Sequence, residues 1–259
     1  MKLLETDGCI PGLLSAYISP MVGTLLNVLL LALGATVGLA TRKEPSDATQ
    51  NALKIFLGVF TVWTGLSILW RSIHGTFGQI LGQLGIAILA LSLGHATGKL
   101  ARLQLGLNHL GRIAKLKLAD PPQPTAASRS NVFLGCTILC VANPLGLFGA
   151  LLEGVSGHWE VLAIKAVMDG LSCLAFARIG GWPVLGAALP VLAFQGTISL
   201  LAQAVTRQAL SPVMIDSIGA AGGLLVFSVS LIIFSVRRVE LANYLPAFFF
   251  APLLAWWWR

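Results

Sequence analysis

Eight stretches of this 259-residue chain run apolar for close to twenty residues each, at about 21–41, 52–70, 76–98, 131–152, 159–178, 183–206, 217–236 and 241–258. Twenty residues of helix rise about 30 Å, the thickness of a bilayer's hydrocarbon core. A backbone amide or carbonyl left unpaired in hydrocarbon costs several kcal/mol, so such segments are either helices or strands of a closed barrel. These runs are continuous rather than alternating, which leaves helices. The expected fold is all-α, a polytopic transmembrane helix bundle of about eight spans. Composition agrees: 56% of the residues are hydrophobic and 10% charged, against about 25% charged in a soluble domain. A mean hydropathy of +0.84 excludes a water-soluble globular fold.

A formal charge of +7 raises nucleic acid as a partner, but the basic residues lie in short loops between apolar runs and not on one basic face. The expected partner is the lipid bilayer with its anionic surface, and no nucleic acid. With all eight segments crossing, twelve of the 17 Lys and Arg fall on one side, among them Arg42, Arg112, Lys115 and Arg237. Lys2, Arg71, Arg207 and Arg259 fall on the other, and Lys165 stands inside a span. The positive-inside rule then places both termini outside the cytoplasm and the 99–130 loop within it. That loop, ending in a Pro- and Ser-rich stretch at 120–130, reads as a basic cytoplasmic linker. It divides a three-helix part, 21–98, from a five-helix part, 131–259. Residues 1–20 lack the basic and apolar regions of a secretory signal and read as an N-terminal extension. Trp256, Trp257, Trp258 and Arg259 form an aromatic and cationic end suited to the headgroup level.

An internal similarity links the first and third spans. Leu31, Leu33, Gly34, Gly38 and Arg42 recur sixty residues later as Leu91, Leu93, Gly94, Gly98 and Arg102. Either two independent packing seams share this pattern, since glycines four apart let helices approach closely, or the chain carries an internal repeat of the kind that builds transporters.

Charged residues at membrane depth are functional candidates by default. Lys165 and Asp169 lie one helical turn apart and can reach each other. They are either a structural ion pair or a switchable one, in which Asp169 binds a proton or cation while Lys165 is released. Asn143-Pro144 sits mid-span, where proline removes a backbone hydrogen bond and kinks or opens the helix. Freed carbonyls facing a protected cavity are used by the discontinuous helices of transporters. Glu153, near the outer end of this span, is expected to snorkel at the interface. Gln195 and Thr197 offer uncharged groups at mid-depth, to glue helices or to coordinate a solute. Asn27 is a buried amide after Thr24, and His95 reads as a hydrogen-bonded interfacial histidine. Cys9, Cys136, Cys140 and Cys173 contain no C-x-x-C pair and define no disulfide framework. Cys136 and Cys140 share a helix face and read as small packing residues, so no metal site or cofactor is expected. No catalytic triad, P-loop or dinucleotide fingerprint is present, and the protein is expected not to be an enzyme.

Several dispersed blocks carry a resemblance: Met21-Val-Gly23-Thr24-Leu-Leu-Asn27, Asn143-Pro144-Leu-Gly-Leu-Phe-Gly149, Lys165-Ala-Val-Met-Asp169-Gly170, Pro190-Val-Leu-Ala-Phe-Gln195-Gly196 and Ala242-Asn243-Tyr-Leu-Pro246-Ala247. From Met21 to about Leu254 the chain resembles the domain of unknown function 554 family, bacterial integral membrane proteins of the YdfK/YqgA-like type. Members of that family tend to begin at the methionine matching Met21. They usually carry Gly-Pro-Met where this chain has Asn143-Pro144-Leu145, and often an acidic residue at the position of Lys99. The resemblance implies a multi-pass protein of the bacterial cytoplasmic (inner) membrane and supplies no substrate. The expected function is a secondary transporter or ion-coupled permease for a small solute or ion, with proton or sodium coupling. Its site is expected at Asp169, Lys165, Asn143, Gln195 and Asn27. The alternative is a non-transporting membrane assembly factor or sensor whose polar residues hold helices together, and either form leaves room for a homo-oligomer.

Overall fold

The computed structural model describes residues 21–41, 46–119 and 125–258, so the readings of residues 1–20 and of the Pro-rich 120–124 stretch fall outside the described residues. The described chain forms ten α-helices and two 3₁₀ turns, with no strand among the described residues: α1 Val22–Ala40, α2 Asp47–Arg71, α3 Phe77–Leu100, α4 Leu103–Ala119, α5 Ala126–Val141, α6 Pro144–Ser156, α7 Glu160–Gly180, the turn Trp182–Ala187, α8 Ala188–Ala209, α9 Pro212–Ile233, the turn Leu241–Tyr244 and α10 Ala247–Trp257. Five helices are long and apolar enough to cross a membrane: α1, α2, α3, the continuous Trp182–Ala209 and α9. A sixth span is the pair α5 and α6, bent by 54° at the Asn143-Pro144 break. The remaining two expected spans deviate for local reasons. Helix α7 is 21 residues long but carries Glu160, Lys165, Asp169 and Arg178, while Leu241–Trp257 is a shorter apolar segment.

Packing directions agree with alternate crossing. Along α1, Gly23, Gly34 and Gly38 meet Leu162, Gly170 and Leu174 of α7 in the same order, so these helices run parallel. Helices α2 and α9 run antiparallel, Gly58 meeting Phe234 and Gly65 meeting Phe227. Gly146 and Gly154 of α6 meet Gln195 and Ser199 of α8 in parallel. Each relation is the one that eight alternating segments require. Because α6 continues away from α5 alongside α8, the bent pair behaves as one broken span.

The two parts separated in the sequence interlock: α1 packs on α7, α2 on α9 and α3 on α10. The glycine pairs at 34/38 and 94/98 each form one of these seams. A methyl group on Gly34 would fall into the carbonyl of Gly170, so only hydrogen permits the α1–α7 contact. Outward faces carry large apolar side chains, among them Leu29, Phe56, Trp63, Leu201 and Phe249. That is the surface lipid requires, and in water it would be an aggregation patch. The Trp256–Trp258 group is exposed.

The expected linker contains a helix. Helix α4 fills most of it because Leu103, Leu107, Ala114 and Leu118 recur at helical spacing between basic residues. Ala114 is fully buried and packs with Leu118 against Gly135 of α5. Lys117 donates to Asn131 at 3.0 Å. Leu105, Leu110 and Leu116 remain exposed beside Arg112 and Lys115, the composition of a helix lying in the membrane interface.

Candidate functional site

Helix α7 presents Lys165 and Asp169 one turn apart, and the two form an ion pair. Position along α1 and α8 brings two amides onto the same point. Asn27 Nδ2 donates to Gln195 Oε1 at 2.9 Å and to Asp169 Oδ2 at 3.4 Å. Gly146, in the first turn of α6, completes the wall: a side chain there would collide with Lys165 Cε and crowd Gln195 Nε2. Four helices thus close on one polar nest. Asn27 and Lys165 have no exposed surface, Gln195 has 1% and Asp169 5%, so the nest is sealed on all sides. Within it Asn27 Oδ1 and Gln195 Nε2 find no partner among the described residues. One acceptor and one donor in the nest are therefore unused, a costly state for buried polar groups.

Asn143 stands apart from the other four candidates. Its side chain accepts from the Leu145 N–H at 3.0 Å and caps α6, with Pro144 at the first helical position. This is the pairing of an Asn cap with an N1 proline that starts a helix afresh. Asn143 therefore acts by starting the half-helix whose positive end and Gly146 stand against the nest. The predicted Pro break is present, and its consequence is this half-helix.

Glu153 corrects the expectation of a snorkelling side chain. It is 1% exposed and accepts hydrogen bonds from the Gly23 N–H, from the Thr24 N–H at 3.3 Å and from Thr24 Oγ1 at 2.9 Å. The N-terminus of α1 lies over it, and a carboxylate there satisfies backbone donors that no helix can pair internally. Ser199, one turn beyond Gln195 on α8, also reaches Glu153. Thr24 and Ser199 thus hold Glu153 one turn from the level where Asn27 links Gln195 to Asp169. The two carboxylates stand in a polar column leading toward the end of the bundle where Arg71 pairs with Glu160 at 3.2 Å. Thr197, by contrast, faces outward and is exposed. His95 is half-buried against the Tyr244 ring, with centroids 4.8 Å apart, and takes no part in the nest.

Toward the opposite end, a cavity of about 490 Å³ lies between α2 and α7. Lys54 and Arg178 flank it, and its lining reaches Met168, the residue before Asp169.

The chain is 25% identical over 235 residues to "Uncharacterized membrane protein YdfK" of Bacillus subtilis (strain 168), covering 90% of this chain and 95% of the relative. It is likewise 25% identical over 239 residues to "Uncharacterized protein YqgA" of Escherichia coli (strain K12), covering 92% and 97%. No solved structure matches it. The family described as protein of unknown function, DUF554, matches residues 22–256, which take in all the residues of the nest and every helix of the bundle but the last residue of α10. This chain belongs to the DUF554 family of membrane proteins.

Proposed function

We propose that the protein is a secondary transporter or ion-coupled permease for a small solute or ion, with Lys165, Asp169, Asn27 and Gln195 as its central binding site and Asn143 setting the half-helix beside it. The observation that carries this reading is the sealed nest with one amide acceptor and one amide donor unused beside a charged pair. A charge at mid-membrane costs from about 2.5 to more than 10 kcal/mol. An ion pair evolved only to fix packing gains nothing from two further orphan groups. A bound proton or sodium ion on Asp169 releases Lys165, and the unused Asn27 oxygen then offers an acceptor to a cation while Gln195 offers a donor to an anionic group. The half-helix end at Gly146 adds positive potential on the same side. The polar column through Glu153 leads from the nest toward one end of the bundle, the direction in which a relative movement of these helices opens it.

The membrane is the bacterial cytoplasmic (inner) membrane in this reading, with both termini outside and the basic corner around α4 inside. The reading is tested with purified protein in liposomes under an imposed proton or sodium gradient. Wild type is expected to move the ion, Asp169→Asn to abolish the movement and Lys165→Ala to alter it. Flux unchanged in both variants contradicts the mechanism. The complete closure of the nest favours a second reading, a non-transporting assembly factor or sensor. That reading expects both substitutions to lower thermal stability in detergent while wild type and variants alike show no flux.

A further inference from the structure

Three cysteines outside the nest come together from two helices. Cys136 and Cys140 stand one turn apart on α5, and Cys173 faces them from α7. The Cys173 Sγ lies 3.7 Å from that of Cys136 and 3.9 Å from that of Cys140, and all three sulfurs lie within 4.8 Å of one another. All are free and buried, enclosed by Leu31, Ala35, Val132 and Val184. A buried cysteine acting as a small hydrophobe packs against carbon; these three instead turn their sulfurs toward a common point.

The two separations from Cys173 match a metal's first coordination sphere, and the third is within 4.8 Å. With metal–sulfur bonds of about 2.3 Å, ligand sulfurs lie about 3.8 Å apart in a tetrahedral set and about 4.0 Å apart in a trigonal-planar one. No His, Asp or Glu joins the cluster among the described residues. The donor set is therefore three sulfurs, and thiolates select soft ions such as copper(I). Zinc in a structural site takes four ligands, which this cluster does not offer. Copper(I) binding releases protons from the thiols. If two thiols lose their protons to solution and the third keeps its own, the occupied site carries one negative charge, and Lys165 lies within electrostatic range of Cys140.

We propose that Cys136, Cys140 and Cys173 form a three-coordinate site for a soft monovalent metal ion, copper(I), within the membrane part of the fold. The step is ligand binding with proton release and changes no oxidation state. It stands independently of any flux through the nest.

The test uses the full chain in detergent under anaerobic conditions, in a Cys9→Ser background because Cys9 lies outside the described residues. Copper(I) is supplied by a colorimetric chelator that competes for it. One copper per chain is expected to survive competition, with Cys136→Ser and Cys173→Ser each lowering affinity by roughly tenfold or more. Cys140→Ala, which keeps the site apolar, provides a second variant, and elution profile and melting temperature without metal show that each variant is folded. X-ray absorption on the copper-loaded protein is expected to give sulfur-only coordination. The proposal is overturned if folded protein retains no copper, if Cys173→Ser binds as tightly as its parent, or if zinc(II) displaces copper(I) from the site.

Discussion

Lys165 is wholly enclosed, and Asp169 one turn away is what makes its charge tolerable there. Removing one partner leaves the other charge buried and uncompensated, which costs about 3–5 kcal/mol, whereas replacing both by apolar residues of similar volume is often neutral. Lys165→Met and Asp169→Leu alone are therefore expected to lower the denaturation temperature in detergent strongly, and the double variant to recover most of the loss. Additive losses would show that the pair does not act as a unit. Glu153 makes a different prediction: Glu153→Ala strips the acceptor from the Gly23 and Thr24 N–H groups and is expected to cost about 1–3 kcal/mol in the same assay. His158, in the turn between α6 and α7, has its imidazole pushed below the ordinary histidine range, mainly by burial. The folded protein holds it neutral, so its contribution to stability is present above about pH 6.5 and is lost as pH falls through the lowered folded value. Melting temperatures measured on either side of that pH should show a smaller acid loss in His158→Gln. The pair at 165 and 169 is legible in sequence because one turn separates its members. Asn27 and Gln195 are each legible as amides lipid would reject, but their meeting depends on the α1–α8 crossing, which no local pattern encodes. Glu153 misleads because counting along a straight helix places it at the interface; the break at Pro144 redirects it beneath the start of α1.

At the scale of elements, close helix approach decides which substitutions matter. Gly34 touches the backbone of α7, so Gly34→Ala is expected to push α1 outward and cost about 1–3 kcal/mol, the usual range for overpacking. Gly85 on α3 has nothing within 4 Å of the site of an added methyl group, and Gly85→Ala is expected to be neutral or to stabilise by up to about 1 kcal/mol. Both are read by thermal unfolding in detergent, and equal effects at the two positions would contradict the seam. The repeated L-x-L-G-x-x-x-G pattern predicts two such seams, and both exist, against α7 for Gly34 and Gly38 and against Asn243–Ala247 for Gly94 and Gly98. The break in the fourth span is legible because proline chemistry is local. Helix α4 is less so: Gly106, Gly111 and interleaved basic residues weaken its apolar stripe, and it is held partly by distant partners, Gln104 bonding to the backbone of Ala242 at 3.1 Å. Cys173 joins Cys136 and Cys140 only through the packing of α7 on α5, a contact 33 to 37 residues long in sequence.

For the whole molecule, the basic residues set an orientation that a fusion experiment reads directly. A periplasmic phosphatase fused after Arg259 is expected to be active and a fluorescent protein fused there dark, with the reverse when each is inserted in the 120–124 stretch; the opposite pattern would invert the topology. The interlocked halves make the nest a meeting of α1 with α6, α7 and α8, so it opens only if these helices move relative to one another. Residue-resolved labelling by a membrane-permeant carbodiimide reads that opening without knowledge of the substrate. The reagent modifies protonated carboxyl groups it can reach. Asp169 in membrane-embedded protein is expected to be modified, less so as pH rises or when the coupling ion is present at high concentration. An Asp169 that stays unmodified at every pH while the protein is folded would show a permanently locked pair and contradict the account.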